Sequence, residues 1–129
     1  MDKEAFFKQA TSIEDFCKKY IEYFRNLKSE PQVDRYYFID SPVFARECTA
    51  LGFEMDCGDS FIRKYGEEAF CSEEAFARIV NIITDVKVLG DGIFSQWRYY
   101  NHWAESSQAL YDAVGWFKLA FNRLYELAI

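Results

Sequence analysis

Residues 12–28 read Ser12-Ile13-Glu14-Asp15-Phe16-Cys17-Lys18-Lys19-Tyr20-Ile21-Glu22-Tyr23-Phe24-Arg25-Asn26-Leu27-Lys28. At about 100° per residue, Ile13, Phe16, Cys17, Tyr20, Tyr23, Phe24 and Leu27 fall within an arc of about 120°. Glu14, Asp15, Lys18, Glu22 and Arg25 fall opposite. That spacing predicts an amphipathic helix. Ser12 supplies an N-cap, Asp15 three residues on completes a capping-box-like start, and Ser29-Glu30-Pro31 ends the run. Such a helix must bury its apolar stripe against other elements, so the fold class turns on how the remaining segments read.

Most of them read the same way. Residues 2–10 form a short helical stretch anchored by Ala5, Phe6 and Phe7. Ser41-Pro42 places an N-cap before a proline at the first helical position. That helix runs to Leu51, with Gly52 as its C-terminal cap. Residues 60–65 give one or two turns closed by Gly66. Ser72 caps a helix over 73–84, with Glu73 and Glu74 in its first turn; its inward face is Phe76, Ile79, Ile82 and Ile83, with Val80 at the edge. Residues 93–103 and 113–128 read as further helices. In the last, Phe117, Ala120, Phe121, Leu124, Leu127 and Ala128 lie opposite a polar stripe of Lys118, Asn122 and Glu126. Four stretches interrupt the pattern. Tyr36-Tyr37-Phe38-Ile39 predicts a short extended segment, residues 85–89 a link, Gly90-Asp91-Gly92 a breaker with Asp91 capping the next helix, and residues 104–108 a polar break. The expectation is a mainly α protein: one domain over residues 1–129, a compact bundle of five to six helices, with one short extended segment near 36–39.

The chain has 129 residues and a net charge of −6, and half of it is apolar, a globular balance. No apolar run reaches the roughly 18 residues that cross a bilayer, and MDKEAFFKQA lacks the form of a secretory leader. The expected location is the cytoplasm, with no membrane partner. Direct nucleic-acid binding is not expected, because the longest basic runs are Lys18-Lys19 and Arg63-Lys64. The acid is concentrated. Residues 54–74 carry Glu54, Asp56, Asp59, Glu67, Glu68, Glu73 and Glu74 against Arg63 and Lys64, a local balance of −5. That cluster reads either as a solvated face or as a patch that steers a basic partner.

The 4 cysteines, at 17, 48, 57 and 71, show no Cys-x-x-Cys spacing. Cys17 and Cys48 fall on apolar helix faces and read as buried thiols; Cys57 lies in the loop Met55-Asp56-Cys57-Gly58-Asp59. His102 is the 1 histidine, which excludes sites needing two. A Cys57–His102 nucleophile pair is disfavoured, because the acids beside Cys57 raise its pKa. Glu47, Glu54, Asp56 or Asp59 with His102 would be the only material for acid–base chemistry. Asp56 and Asp59 lack the ligand spacing of an EF-hand. No catalytic set, metal site or cofactor is expected.

The 13 Phe, 9 Tyr and 3 Trp are far more aromatic residues than usual for this length, so some are expected to line a groove, an interface or a pocket. The densest stretch is Phe94-Ser95-Gln96-Trp97-Arg98-Tyr99-Tyr100-Asn101-His102-Trp103. Ile93, Phe94, Trp97 and Tyr100 share one arc of its helix, Tyr99 and Trp103 lie across from them, and Arg98 and His102 sit between, four residues apart. Together with Phe53-Glu54-Met55-Asp56-Cys57-Gly58-Asp59-Ser60-Phe61, Leu89-Gly90, Trp116-Phe117 and Arg123-Leu124, this stretch resembles a group of small, acidic, uncharacterised bacterial proteins. The resemblance implies a bacterial or mobile-element origin and implies that loop and aromatic helix belong to one site. It carries over no catalytic residues. The leading functional expectation is a non-enzymatic factor that binds, and in the sharper version inhibits, a larger protein. It would use Glu54, Asp56 and Asp59 together with Trp97, Arg98, Tyr99, Tyr100, His102 and Trp103. A homodimer is compatible with the aromatic excess. The alternative is a small-molecule-binding module with an aromatic pocket around Arg98 and His102, where the arginine takes an anionic group.

Overall fold

Three serines set the frame. Ser12 Oγ accepts from Asp15 N at 3.1 Å, Ser41 Oγ from Phe44 N at 3.4 Å and Ser72 Oγ from Ala75 N at 3.1 Å. Each satisfies an N–H that the first helical turn leaves without a partner. In the computed structural model, which describes residues 3–27, 38–70, 72–103 and 107–129, these caps open three of seven α-helices. The helices are α1 (Lys3–Phe7), α2 (Ile13–Arg25), α3 (Pro42–Ala50), α4 (Asp59–Tyr65), α5 (Glu73–Ile82), α6 (Val86–Trp103) and α7 (Ser107–Ala128), with a 3-10 turn at Glu67–Phe70. Seven among the described residues stand against the expected five to six. No strand occurs among the described residues, and none of their helices is long and apolar enough to cross a membrane.

The core is largely a stack of rings. Phe24 lies flat on Phe117, with centroids 5.4 Å apart and 8° between planes, and Tyr20 lies on Phe121 at 5.3 Å. These pairs lock α2 to α7. Phe38 and Phe44 fill the space beside them at 4.9 Å, edge to face. Each such pair adds about 0.5–1.5 kcal/mol beyond its area burial. Among the described side chains, Tyr99 is the one exposed aromatic. The aromatic surplus is therefore mainly structural, and only a few rings reach the surface.

Several local expectations need correction, among them the link at 85–89, of which all but Asp85 is helical. The extended segment at 36–39 is not found in its described half: Phe38 is helical and Ile39 lies in the turn that leads into α3, both buried, while Tyr36 and Tyr37 lie outside the described residues. A strand was unnecessary because α6 side chains satisfy this backbone. Trp97 Nε1 donates to Phe38 O at 2.7 Å and Asn101 Nδ2 to Ile39 O at 2.5 Å. Ile82 is not on the inward face of α5; it is 66% exposed, while Phe76, Val80 and Ile83 are buried. It sits about 60° further round the helix than Ile79.

One further correction matters most for the site. Gly90-Asp91-Gly92 does not break a helix; it lies inside α6. Asp85, not Asp91, caps that helix, accepting from Val88 N at 3.2 Å. The glycines are there for packing. A Cβ on Gly90 would stand 2.2 Å from the Phe53 ring, and one on Gly92 would stand 3.2 Å from Phe61. The cost of about 1 kcal/mol for glycine in a helix interior is offset by letting two phenylalanines lie against the α6 backbone. Of the expected break at 104–108, Ser107 and Gln108 belong to α7 and 104–106 lie outside the described residues. The helix stop at 29–31 also lies outside them. The described end of α2 is at Arg25, where Asn26 N donates to Glu22 O.

Candidate functional site

The loop over residues 53–58 is fixed to α6 by two carboxylates one helical turn apart in their contacts. Asp91 is buried, and its Oδ1 accepts from Glu54 N at 2.7 Å while its Oδ2 accepts from Lys87 Nζ at 2.9 Å. Four residues on, Ser95 Oγ donates to Asp56 Oδ1 at 3.1 Å. Asp56 also gathers its own loop: Oδ1 accepts from Gly58 N at 3.1 Å, and Oδ2 accepts from Ser60 N at 3.1 Å and Ser60 Oγ at 2.5 Å. Burial raises the Asp56 pKa, but the hydrogen bonds from Ser60, Ser95 and Gly58 outweigh it and hold the carboxyl below its ordinary value. These bonds support a tight bend in which Cys57 and Gly58 both take positive φ, 58° and 78°. A non-glycine residue in that region is uncommon and carries some strain.

Beyond this anchor, α6 continues as a polar and aromatic stripe. Ser95, Arg98, Tyr99 and His102 follow at i, i+3, i+4 and i+7, the spacing of one helix face. Across from them stand Met55, Cys57 and Gly58 of the loop and Ile62 of α4. Gln96, Tyr100 and the α7 residue Trp116 complete a groove of about 660 Å³. That size falls within the range of small-molecule pockets. The Trp116 ring stacks on Phe76 at 4.6 Å, which fixes that wall. Tyr99 and Tyr100 meet edge to face at 5.2 Å.

The nine residues singled out from the sequence part into groups. Arg98, Tyr99, Tyr100 and His102 line the groove. Arg98 Nη1 donates to Asn101 Oδ1 at 3.2 Å. Since Asn101 is itself tied to Ile39 O, the guanidinium is held through a bonded neighbour. Trp97 is in the core, with its indole N–H on Phe38 O. The Trp103 side chain lies outside the described residues. Asp56 gathers and anchors the loop. Asp59 pairs with Arg63 at 2.9 Å, and Glu54 stands 3.8 Å from Lys87 Nζ. Among the described residues the groove lining contains no carboxylate, although the chain carries 21 acids against 15 Lys and Arg.

No family model, curated protein or solved structure matches this chain. The chemistry of the groove must be read from its own residues. Among the described residues, no group of three or more His, Cys, Asp or Glu side chains is placed to hold a metal ion. Cys57 lines the groove and is exposed, whereas Cys17 and Cys48 are buried. Burial pushes the Cys17 thiol up to about 12 and the Cys48 thiol well above its ordinary value, so neither presents a thiolate.

Sequence reading did not single out one contributor to the groove. Gln96 lines the groove, and among the described residues its amide has no hydrogen-bond partner. Only the one-turn offset from Gly92 and Tyr100 could have placed it there. Glu47, offered from the sequence as acid–base material with His102, is instead fully buried away from the groove and accepts from Ala10 N at 2.6 Å, from Lys19 Nζ at 2.9 Å and from the Tyr20 hydroxyl. Lys19 also donates to Lys8 O at 3.0 Å and lies over the Phe6 and Tyr20 rings. Burial lowers the Lys19 pKa against the pull of Glu47. It raises that of Tyr20 well above the phenolic value, with the Glu47 charge adding to it. This cluster joins the end of α1 to α2 and α3 and has no place in the groove.

Proposed function

We propose that this protein is a non-enzymatic binding module that takes a small molecule into the groove between the 53–58 loop and α6. Arg98, His102, Gln96 and three aromatic residues converge on a concavity of about 660 Å³ framed by the contacts of Asp91, Asp56 and Trp116, and this convergence carries the reading. Convergent polar groups in an aromatic concavity on a fixed frame are what a small-molecule site requires. The test is a fragment mixture read by amide chemical shifts of the labelled protein. Shifts clustered on 55–58, 95–102 and 116 support the module. A library in which no fragment moves those amides removes it.

The second reading is a protein-binding factor of bacterial or mobile-element type. Met55 and Tyr99 favour it, because both are exposed at the groove and are residue types enriched at interfaces. The acidic component has less support, since Asp56 is consumed by its loop and Asp59 is paired with Arg63. A complex steered by the remaining acids would weaken with salt. A pull-down at low and high salt that retains the same partner equally would remove the steering role.

A further inference from the structure

Resting on the small-molecule reading, we infer that the groove is specific for a planar aromatic compound bearing one anionic group, a carboxylate or a phosphate. Charge points to the anion. The chain has a net charge of −6, yet the described residues lining this concavity supply one guanidinium, one imidazole and no carboxylate. Three acids adjoin lining residues in sequence: Asp56 has both oxygens occupied by hydrogen bonds, Asp59 pairs with Arg63 at 2.9 Å, and Glu54 stands 3.8 Å from Lys87 Nζ. A cationic lining on an acidic protein favours anions locally while the rest of the surface repels them.

The state of Arg98 points the same way. It is half-buried, and its one hydrogen bond among the described residues uses Nη1, to Asn101. The remaining guanidinium donors keep the planar fork that suits a carboxylate or phosphate. Asn101 is a positioning residue: its amide is tied to Ile39 O at 2.5 Å, so less rotamer freedom is lost when an anion arrives. Shape selects the body of the ligand. Tyr99, Tyr100 and Trp116 stand on the walls beside Arg98, so a ligand whose acid group meets the guanidinium would have its body against rings. Flat π-systems gain most from that arrangement.

Isothermal titration with matched pairs tests the inference: 2-naphthoate against 2-naphthamide, and adenosine monophosphate against adenosine. The expected result is that at least one anion binds about tenfold or more tightly than its neutral partner. Arg98→Ala should abolish that preference with the melting temperature preserved, and Arg98→Lys should restore part of it. Asn101→Ala should weaken the anion more than its neutral partner. Preference for naphthoate alone names a carboxylate ligand, and preference for the nucleotide alone names a phosphate. Neutral compounds binding as tightly as anions, with shifts at 95–102, would overturn the charge inference and leave the small-molecule groove standing. No binding by any of the four, together with a silent fragment library, would overturn both.

Discussion

Two polar clusters on this molecule use their charges in opposite ways. Where α1, α2 and α3 meet, Glu47 is fully buried, and both of its oxygens accept hydrogen bonds from Ala10, Lys19 and Tyr20. Along the second half of α6, Arg98 is half-buried and holds one internal bond, while His102 is exposed at the same groove. The first cluster is closed, because every charge in it answers another within the fold. The second is open, with donors left facing a concavity. A charged group that is desolvated and fully bonded is tied to stability. One that is positioned but only partly bonded retains the capacity to bind something else.

If the Glu47 cluster is closed, breaking it should give the largest effect on stability. Glu47→Ala leaves the Lys19 ammonium desolvated and removes the acceptor for Ala10 N and Tyr20. The expected loss is about 3–5 kcal/mol by chemical denaturation. Replacing both charges, as in Glu47→Leu with Lys19→Met, should recover much of it. A Glu47→Ala loss under about 1 kcal/mol would show that this end is hydrated and that the contrast with Arg98 is false.

The frame of the open site should come next. Gly90→Ala forces a Cβ to within 2.2 Å of the Phe53 ring, and the expected cost is about 1–3 kcal/mol from overpacking. Gly92→Ala meets Phe61 at 3.2 Å, close enough to require only a small shift, so the gain in helix propensity of about 1 kcal/mol should nearly cancel its cost. A ranking of the two by thermal denaturation with Gly92→Ala the worse would reverse the picture of Phe53 seated on α6.

These glycines also show where the sequence stopped being legible. Periodicity and the three capping serines located the helices, because those signals are local. Gly90-Asp91-Gly92 read as a breaker because local preference opposes a helix there, and only the packing of Phe53 and Phe61, distant in sequence, reverses it. Glu47 was unreadable for a similar reason. On a chain with 21 acids, one carboxylate looks like any other until Lys19 and Tyr20 close around it. The aromatic stripe around Arg98 was visible as a pattern. Its split into a core residue, Trp97, and groove residues, Arg98 and Tyr99, came from which side of α6 meets α3 and the turn at Phe38. The resemblance alone suggested that the loop and α6 form one site. The Asp56–Ser95 and Glu54–Asp91 hydrogen bonds join them in the fold.

Asp56 lies between the two extremes, since its bonds are internal but its surroundings are partly open. Asp56→Asn should cost about 1–2 kcal/mol, toward the low end because water competes at a half-exposed carboxylate. The acid dependence carries the sign. The folded-state pKa of Asp56 lies below the ordinary aspartate value of 3.8. Its contribution is therefore complete above that value and is lost as pH falls through the folded pKa. Denaturation curves for wild type and Asp56→Asn should be separated at neutral pH and converge as pH falls through the folded-state pKa, below 3.8. Curves that stay parallel into acid would mean the carboxylate charge contributes nothing to holding the loop.

Among the polar residues, the smallest expected change in stability is at Arg98, and that is what makes it informative. Its single bond to Asn101 is an ordinary half-exposed contact, so Arg98→Ala should alter stability by no more than about 0.5 kcal/mol. Asn101 keeps its bond to Ile39 O, and the Asp56 and Asp91 anchors do not involve Arg98 at all. A residue so weakly tied to stability, yet held in a defined orientation over a groove whose described lining has no carboxylate, is placed to lose binding without losing the fold. A loss of stability comparable to Glu47→Ala would put Arg98 in the closed class instead. The groove would then be a by-product of packing, and the two clusters would teach the same thing.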